Sequence, residues 1–363
     1  MISTIPPAAA GPAVRQRPVP WAKLGWVTLR QRRGAMTGAG VLLGAVAVYL
    51  AVMAVIQNNA YATVAACHPA TASKCQRLLQ LFTSTYWGGD NSVLQSGGAQ
   101  TVSSLMFAVP AGVGAFIGAP VLARELETGT FRFAWTQGAG RTRWAISTLV
   151  LPATLLTAVM GGFTALFYWY YRPFLEDGQV SSMLPLSFAL LGVAFAAWAL
   201  FSFSLAAFLG AVFKRIVPAM AVTLVVYVAL ALATATTFRP HYETPVTVAG
   251  WDRASGAGWV TSSWMDSPSG QPVSENEQVS LLNQLPASAL NPPPGNSKKK
   301  PAANPQSGDA FTNWLLDHGY RVGQSVQPDA RFWRFQLTEG GWLLTVSALL
   351  IGGTVGLVRR RGA

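Results

Sequence analysis

The stretch LARELETGTFRFAWTQGAGRTRW, residues 122–144, lies between two long apolar runs and carries almost all the charge found between Asp90 and Arg172. Arg124, Glu125, Glu127, Arg132, Arg141 and Arg143 cannot sit in hydrocarbon cheaply, since a charge at a bilayer centre costs about 3 kcal/mol on insertion scales. The stretch therefore reads as a polar loop held against a membrane face by the helices on either side. Residues 122–128 continue the preceding helix out of the lipid, and Gly129 breaks it. Thr130 is then the N-cap of a short second helix carrying Phe131, Phe133, Ala134 and Trp135, ended by Gly138 and Gly140. Apolar residues on such a helix want a protein partner. The same residues also fit a loop resting on lipid headgroups, with Trp135 and Trp144 as interfacial anchors.

Working outward, the chain of 363 residues is 51% hydrophobic and only 11% charged. Soluble domains average about 25% charged residues. Several uncharged runs exceed the roughly 20 residues needed to cross a bilayer. The expectation is an all-α integral membrane protein with six transmembrane helices, at 34–57, 101–122, 145–171, 184–213, 216–238 and 340–358. Residues 1–20, rich in Pro and Ala, read as a disordered cytoplasmic tail. Residues 21–33 (WAKLGWVTLRQRR) read as an interfacial helix with aromatic anchors. The block 34–238 holds helices 1–5 and the loop 122–144. Residues 239–339 form a large extracellular segment between helices 5 and 6. It is expected to hold short helices at 273–285 and 309–320 and a disordered, Pro-rich insert at 291–308. Helix 6 follows at 340–358, with a cytoplasmic tail at 359–363. Pro110 and Pro120 predict kinks in span two. The aromatic run Phe167, Tyr168, Trp169, Tyr170, Tyr171 reads as an interface belt. Gly40 and Gly44, Gly114 and Gly118, and Gly352 and Gly356 each stand in the GxxxG spacing that lets helices approach closely.

The net charge of +12 raises the question of nucleic acid. Its distribution answers it. Six spans put both termini on one side, and that side holds 15 basic residues against two acids, Glu125 and Glu127; the other side holds 11 basic and 12 acidic residues. The positive-inside bias therefore places both termini and the 122–144 loop in the cytoplasm of a multi-pass plasma-membrane protein, with no nucleic-acid patch. Cys67 and Cys75 then share one outer loop, which suits a disulfide on an oxidising side; two separate thiols are the alternative.

Spans drawn at these boundaries contain no Asp, Glu, Lys, Arg or His. Ion-coupled carriers keep such groups in the membrane to bind and relay the coupling ion. The three histidines, His68, His241 and His318, fall in outer loops, and no HExxH motif sits in a span. There is no GxxxxGK[ST], so the chain has no P-loop of its own. If it moves something uphill, another subunit supplies the energy, and the 122–144 loop is the docking point. The competing reading is a membrane-anchored binding or sensor protein acting through its extracellular region. An ion-coupled carrier is the third.

The string A-x-E-x-E-x-G-T at residues 123–130 resembles the cytoplasmic loop of permease subunits of type-2 ABC exporters. The fuller ELETGTFRFAWTQ with RTRW is similar to an actinobacterial subgroup of drug and antibiotic exporters. So are RFWRFQ at 331–336 with Glu339, Arg30-Gln31 before span one, and the terminal Arg run. Gly138-Ala139-Gly140 departs from the Ser/Thr-containing turn of that pattern. The resemblance implies a permease homodimer in the lipid bilayer that binds two copies of a separate ABC ATPase subunit. ATP and Mg would sit on that subunit, with no cofactor on this chain. Glu125, Glu127, Gly129, Thr130, Trp135 and Gln137 would form the ATPase-coupling element, flanked by Arg141 and Arg143. The cavity would lie mainly between spans two and five of the two protomers, with Phe107, Phe116, Thr223 and Tyr227 as candidates to line it. The cargo would be hydrophobic or amphiphilic (a drug, antibiotic or lipid), moved outward. The outer region would cap the exit, with residues 331–336 as a re-entrant base beside span six.

Overall fold

The computed structural model describes residues 30, 33–69, 72–86, 99–129, 141–176, 178, 180–250, 258–283 and 308–360. The tail at 1–20, most of the interfacial stretch at 21–33 and the insert at 291–307 lie outside them, as do Thr130, Trp135 and Gln137. Six helices are long and apolar enough to cross a membrane: Gly40–Ala65, Val102–Thr128, Thr142–Glu176, Ala194–Phe213, Ile216–His241 and Asp329–Arg360. They are called spans one to six below. Their alternation puts the start of span one and the end of span six at one end of the bundle, the terminal end, together with the end of span two and the start of span three.

The chain is not all-α. At the opposite end, β1 (Val246–Ala249), β2 (Gly258–Asp266) and β3 (Arg321–Pro328) form an antiparallel sheet in the order β1-β3-β2. The central strand pairs Val246 with Val326 on one side and Trp264 with Gly323 on the other. Helices Glu275–Asn283 and Gly308–Asp317 accompany the sheet. Met265, Val273, Leu281, Leu315 and Val322 make its small core. Strand β3 reads RVGQSVQP, with polar residues in its middle, so it lacks the apolar alternation that marks a strand.

Span four is the axis of the bundle and the most buried of the six. The sequence reads as one apolar run over 184–213, but the structure breaks it. Helix Pro185–Leu190 ends, Gly192 turns at φ +79°, and the span proper starts at Ala194. Span two packs against span four through small residues. A Cβ on Gly114 would overlap Ser202 Oγ, and one on Gly118 would meet Phe203 O at 2.8 Å. Without water to drive apolar surfaces together in lipid, such close backbone approach is what binds helices. The other two glycine pairs make no such contact, with nothing within 4 Å of a Cβ built at Gly40, Gly44, Gly352 or Gly356. Between Pro110 and Pro120, span two widens into a π-turn at Val113–Gly118, a recognised way for a helix to bend.

The aromatic run at 167–171 is more than a belt. Phe167, Tyr170 and Tyr171 are fully buried, while Tyr168 and Trp169 face out. The Tyr171 hydroxyl is hydrogen-bonded to Ser103 of span two. Beside this cluster, a disulfide joins Cys67 to Cys75, with Cα atoms 5.6 Å apart. It ties the end of span one to helix Ser73–Tyr86, whose Phe82 packs on Tyr61 and Phe174.

Candidate functional site

Two places carry the polar chemistry of the bundle. The first is the elbow after span two. The helix Ala119–Thr128 buries Val121, Leu122 and Ala123 and then emerges with Arg124 and Glu127 exposed and Glu125 half-buried. Its end is chemically marked: Thr128 Oγ1 donates to Arg124 O at 2.9 Å, and Gly129 takes the left-handed conformation at φ +72°. A left-handed C-terminal residue is where glycine carries no steric penalty. The chain returns at Arg141, the first residue of the helix Arg141–Glu176. Trp144 is 8% exposed and belongs to the core. It packs into the bundle and does not anchor a loop on headgroups.

The second place is the sheet end of spans five and six. Span five runs through a π-turn at Thr234–Phe238 and a 3-10 turn at Arg239–His241, and the helix of span six starts at Phe332. Both helices therefore include charges that sequence-drawn boundaries leave in the polar region. Arg239 and Glu339 are 4% and 0% exposed and meet as a fork: Arg239 Nε donates to Glu339 Oε2 at 2.9 Å, and Nη2 to Oε1 at 2.8 Å. Trp198 Nε1 donates to Glu339 Oε1 at 2.8 Å, and the guanidinium lies 4.3 Å from the centre of the Phe188 ring. Paired, hydrogen-bonded and stacked, the two charges meet the conditions under which burial is tolerable.

Three further span-six side chains tie the same end together. Gln336 bridges the break in span four: Ala194 N–H donates to its Oε1 at 2.8 Å, and its Nε2 donates to Phe188 O and Leu191 O, both at 2.7 Å. One amide thus stands in for the helical hydrogen bonds that the break removes. Asp329 Oδ1 accepts from Ser181 Oγ, Ser182 Oγ and the Met183 N–H. Arg331 pairs with Glu243 at 2.8 Å and donates to Gln327 Oε1 and Thr244 O. Residues 331–336 are therefore the opening of a continuous span helix and not a re-entrant base. Next to the fork, burial, reinforced by the Glu339 charge, pushes the Tyr242 phenol above its ordinary value. The neutral hydroxyl accepts from Trp342 Nε1 at 3.1 Å.

Beneath the fork lies a cavity of about 200 Å³. Phe107 and Tyr227, two of the four residues proposed from sequence to line a cavity, are on its wall with Trp198 and Arg239. Phe116 and Thr223 do not line this cavity, which lies within one subunit. Phe116 is 70% exposed on the bundle surface, and Thr223 is fully buried, its hydroxyl bonded to Ala219 O in its own helix. Trp198 and Arg239 escaped sequence reasoning; Glu339 stood out with RFWRFQ as a motif, but its partners did not.

Six apolar spans, a helix carried past the apolar segment to a charged elbow, and a polar clamp across the far end define a multi-pass membrane protein of the transporter-permease kind. A family model described as ABC-2 membrane transporter related matches residues 40–239, more than half of the chain. The chain belongs to that family, whose membrane component works with an ATPase subunit. No curated protein and no solved structure matches the chain.

Proposed function

We propose that this chain is the membrane-spanning subunit of an ATP-driven exporter in the plasma membrane, and that it moves hydrophobic or amphiphilic molecules (drugs, antibiotics or lipids) outward. It has no ATPase site or cofactor of its own. Two copies of a separate ATPase subunit hold ATP and Mg, and two copies of the permease pair in the bilayer. The termini and the elbow face the cytoplasm, and the sheet faces outside.

The observation that carries this reading is the elbow. Span two projects Glu125 and Glu127 beyond the apolar segment and stops at a left-handed Gly129, in a chain with no P-loop. A motor has to push on something stiff, and a helix continuous with span two is stiff. Closure of the ATPases presses on Glu125, Glu127, Gly129, Thr130, Trp135 and Gln137, with Arg141 and Arg143 alongside. The first three spans tilt against spans four to six, which the Gln336 and Glu339 ties support as one body. Access to the cavity then passes from inside to outside.

The test is co-expression with the cognate nucleotide-binding subunit, followed by purification and ATPase and transport assays in liposomes. A stable complex with coupled activity is the expected result. Glu127→Ala and Trp135→Ala should lower coupled transport at least tenfold, equivalent to about 1.4 kcal/mol of lost coupling, while membrane insertion is unchanged. Full transport by both variants would remove the elbow from the mechanism.

A further inference from the structure

The 200 Å³ cavity has an apolar wall built from Phe107, Leu186, Phe195, Trp198, Tyr227 and Ala231, and one charged side chain, Arg239, also lines it. Two guanidinium nitrogens of Arg239 are bound to Glu339. The third, Nη1, has no hydrogen-bond partner among the described residues, although the side chain is only 4% exposed. Nη1 is not wholly closed to solvent, so it is the donor that Arg239 has left to offer, and an acceptor brought to it away from bulk water gains a charge-assisted hydrogen bond. We propose that the cavity is a binding site within one subunit for an uncharged, aromatic-sized group bearing one hydrogen-bond acceptor, such as a ketone, ester or amide oxygen, taken up by Arg239. On the permease reading, on which the word substrate rests, this group is the part of the cargo that is recognised.

Size and charge select that class. An apolar cavity of roughly 150 Å³ holds a benzene, so this one, which is open on one side, takes one ring with its acceptor and leaves the rest of a larger molecule outside. Trp198 and Tyr227 lie edge to face at 5.3 Å and offer aromatic surfaces to such a ring. Glu339 already neutralises Arg239. An incoming anion meets the Glu339 carboxylate in the same low-dielectric site, and a cation meets the guanidinium. A neutral acceptor meets neither opposition.

The experiment uses the full chain in lipid nanodiscs without any ATPase, with empty nanodiscs as the partition control. Benzophenone, diphenylmethane and diphenylacetate are compared by equilibrium dialysis. Saturable benzophenone binding, about tenfold tighter than diphenylmethane and with diphenylacetate weakest, is the expected order, the tenfold being one hydrogen bond. Irradiation with benzophenone should place adducts on residues 186–198 and 227–235, and Ala231→Phe should abolish them by filling the space. Equal binding of ketone and hydrocarbon, tightest binding of the carboxylate, or wild-type adducts confined to other segments would each overturn the assignment, whether or not Ala231→Phe folds. Because no motor is present, failure here leaves the exporter reading intact, and loss of ATP-driven transport leaves this site intact.

Discussion

Glu339 is the residue on which three spans converge. It takes Arg239 from span five and Trp198 from span four while standing on span six. Removing one member of a buried, hydrogen-bonded pair leaves the other charge uncompensated, at a cost of about 3–5 kcal/mol. Glu339→Leu and Arg239→Met are each expected to lower thermal stability in detergent by that amount. The double variant should lose clearly less than the sum; strict additivity would mean that the fork is not a coupled unit. None of this pairing was legible in the sequence. A single charge beside an apolar run reads as the end of a span, so Phe238 and Gly340 became boundaries. The partners lie 100 residues apart, and no periodicity connects them. Gln336 escaped for the same reason: an amide near a span end shows nothing of the three backbone groups it serves.

At the scale of elements, the apolar runs were legible because length and composition alone define a span. Which face meets which neighbour was not. Three spans carry the same GxxxG spacing, yet only Gly114 and Gly118 have a partner against them, span four. Gly114→Leu should therefore prevent accumulation of folded protein, since its Cβ alone would overlap Ser202 Oγ. Gly40→Leu should leave the subunit's own packing unchanged, as its Cβ meets open space. Size-exclusion profiles and thermal unfolding of the two variants separate these outcomes, and equal damage from both would contradict the packing described. The sheet was missed because β3 is held by two neighbours and by Gln327, whose Nε2 donates to Pro240 O and Glu243 O. Its polar middle reads as loop until those partners are in place. The break in span four left one trace, Gly192 inside FALLGVAF. An isolated glycine in an apolar run was too ordinary to mark it.

Over the whole molecule, the two ends of the bundle divide the labour. The sheet end is clamped by span-six side chains, and the opposite end carries a charged elbow on a helix that the core holds through Val121 and Leu122. The elbow was the most legible feature of the chain, since charge between two apolar runs has few places to go. Its segment from Thr130 to Gln137 lies outside the described residues. The sidedness of that elbow is the central claim, because a nucleotide-burning partner exists only in the cytoplasm. Both native cysteines are bonded to each other, so a cysteine introduced as Glu127→Cys is the sole target for a thiol reagent. A membrane-impermeant maleimide should leave it unlabelled in intact cells and label it fully once the membrane is opened. Labelling of Glu127→Cys from outside intact cells would contradict the account.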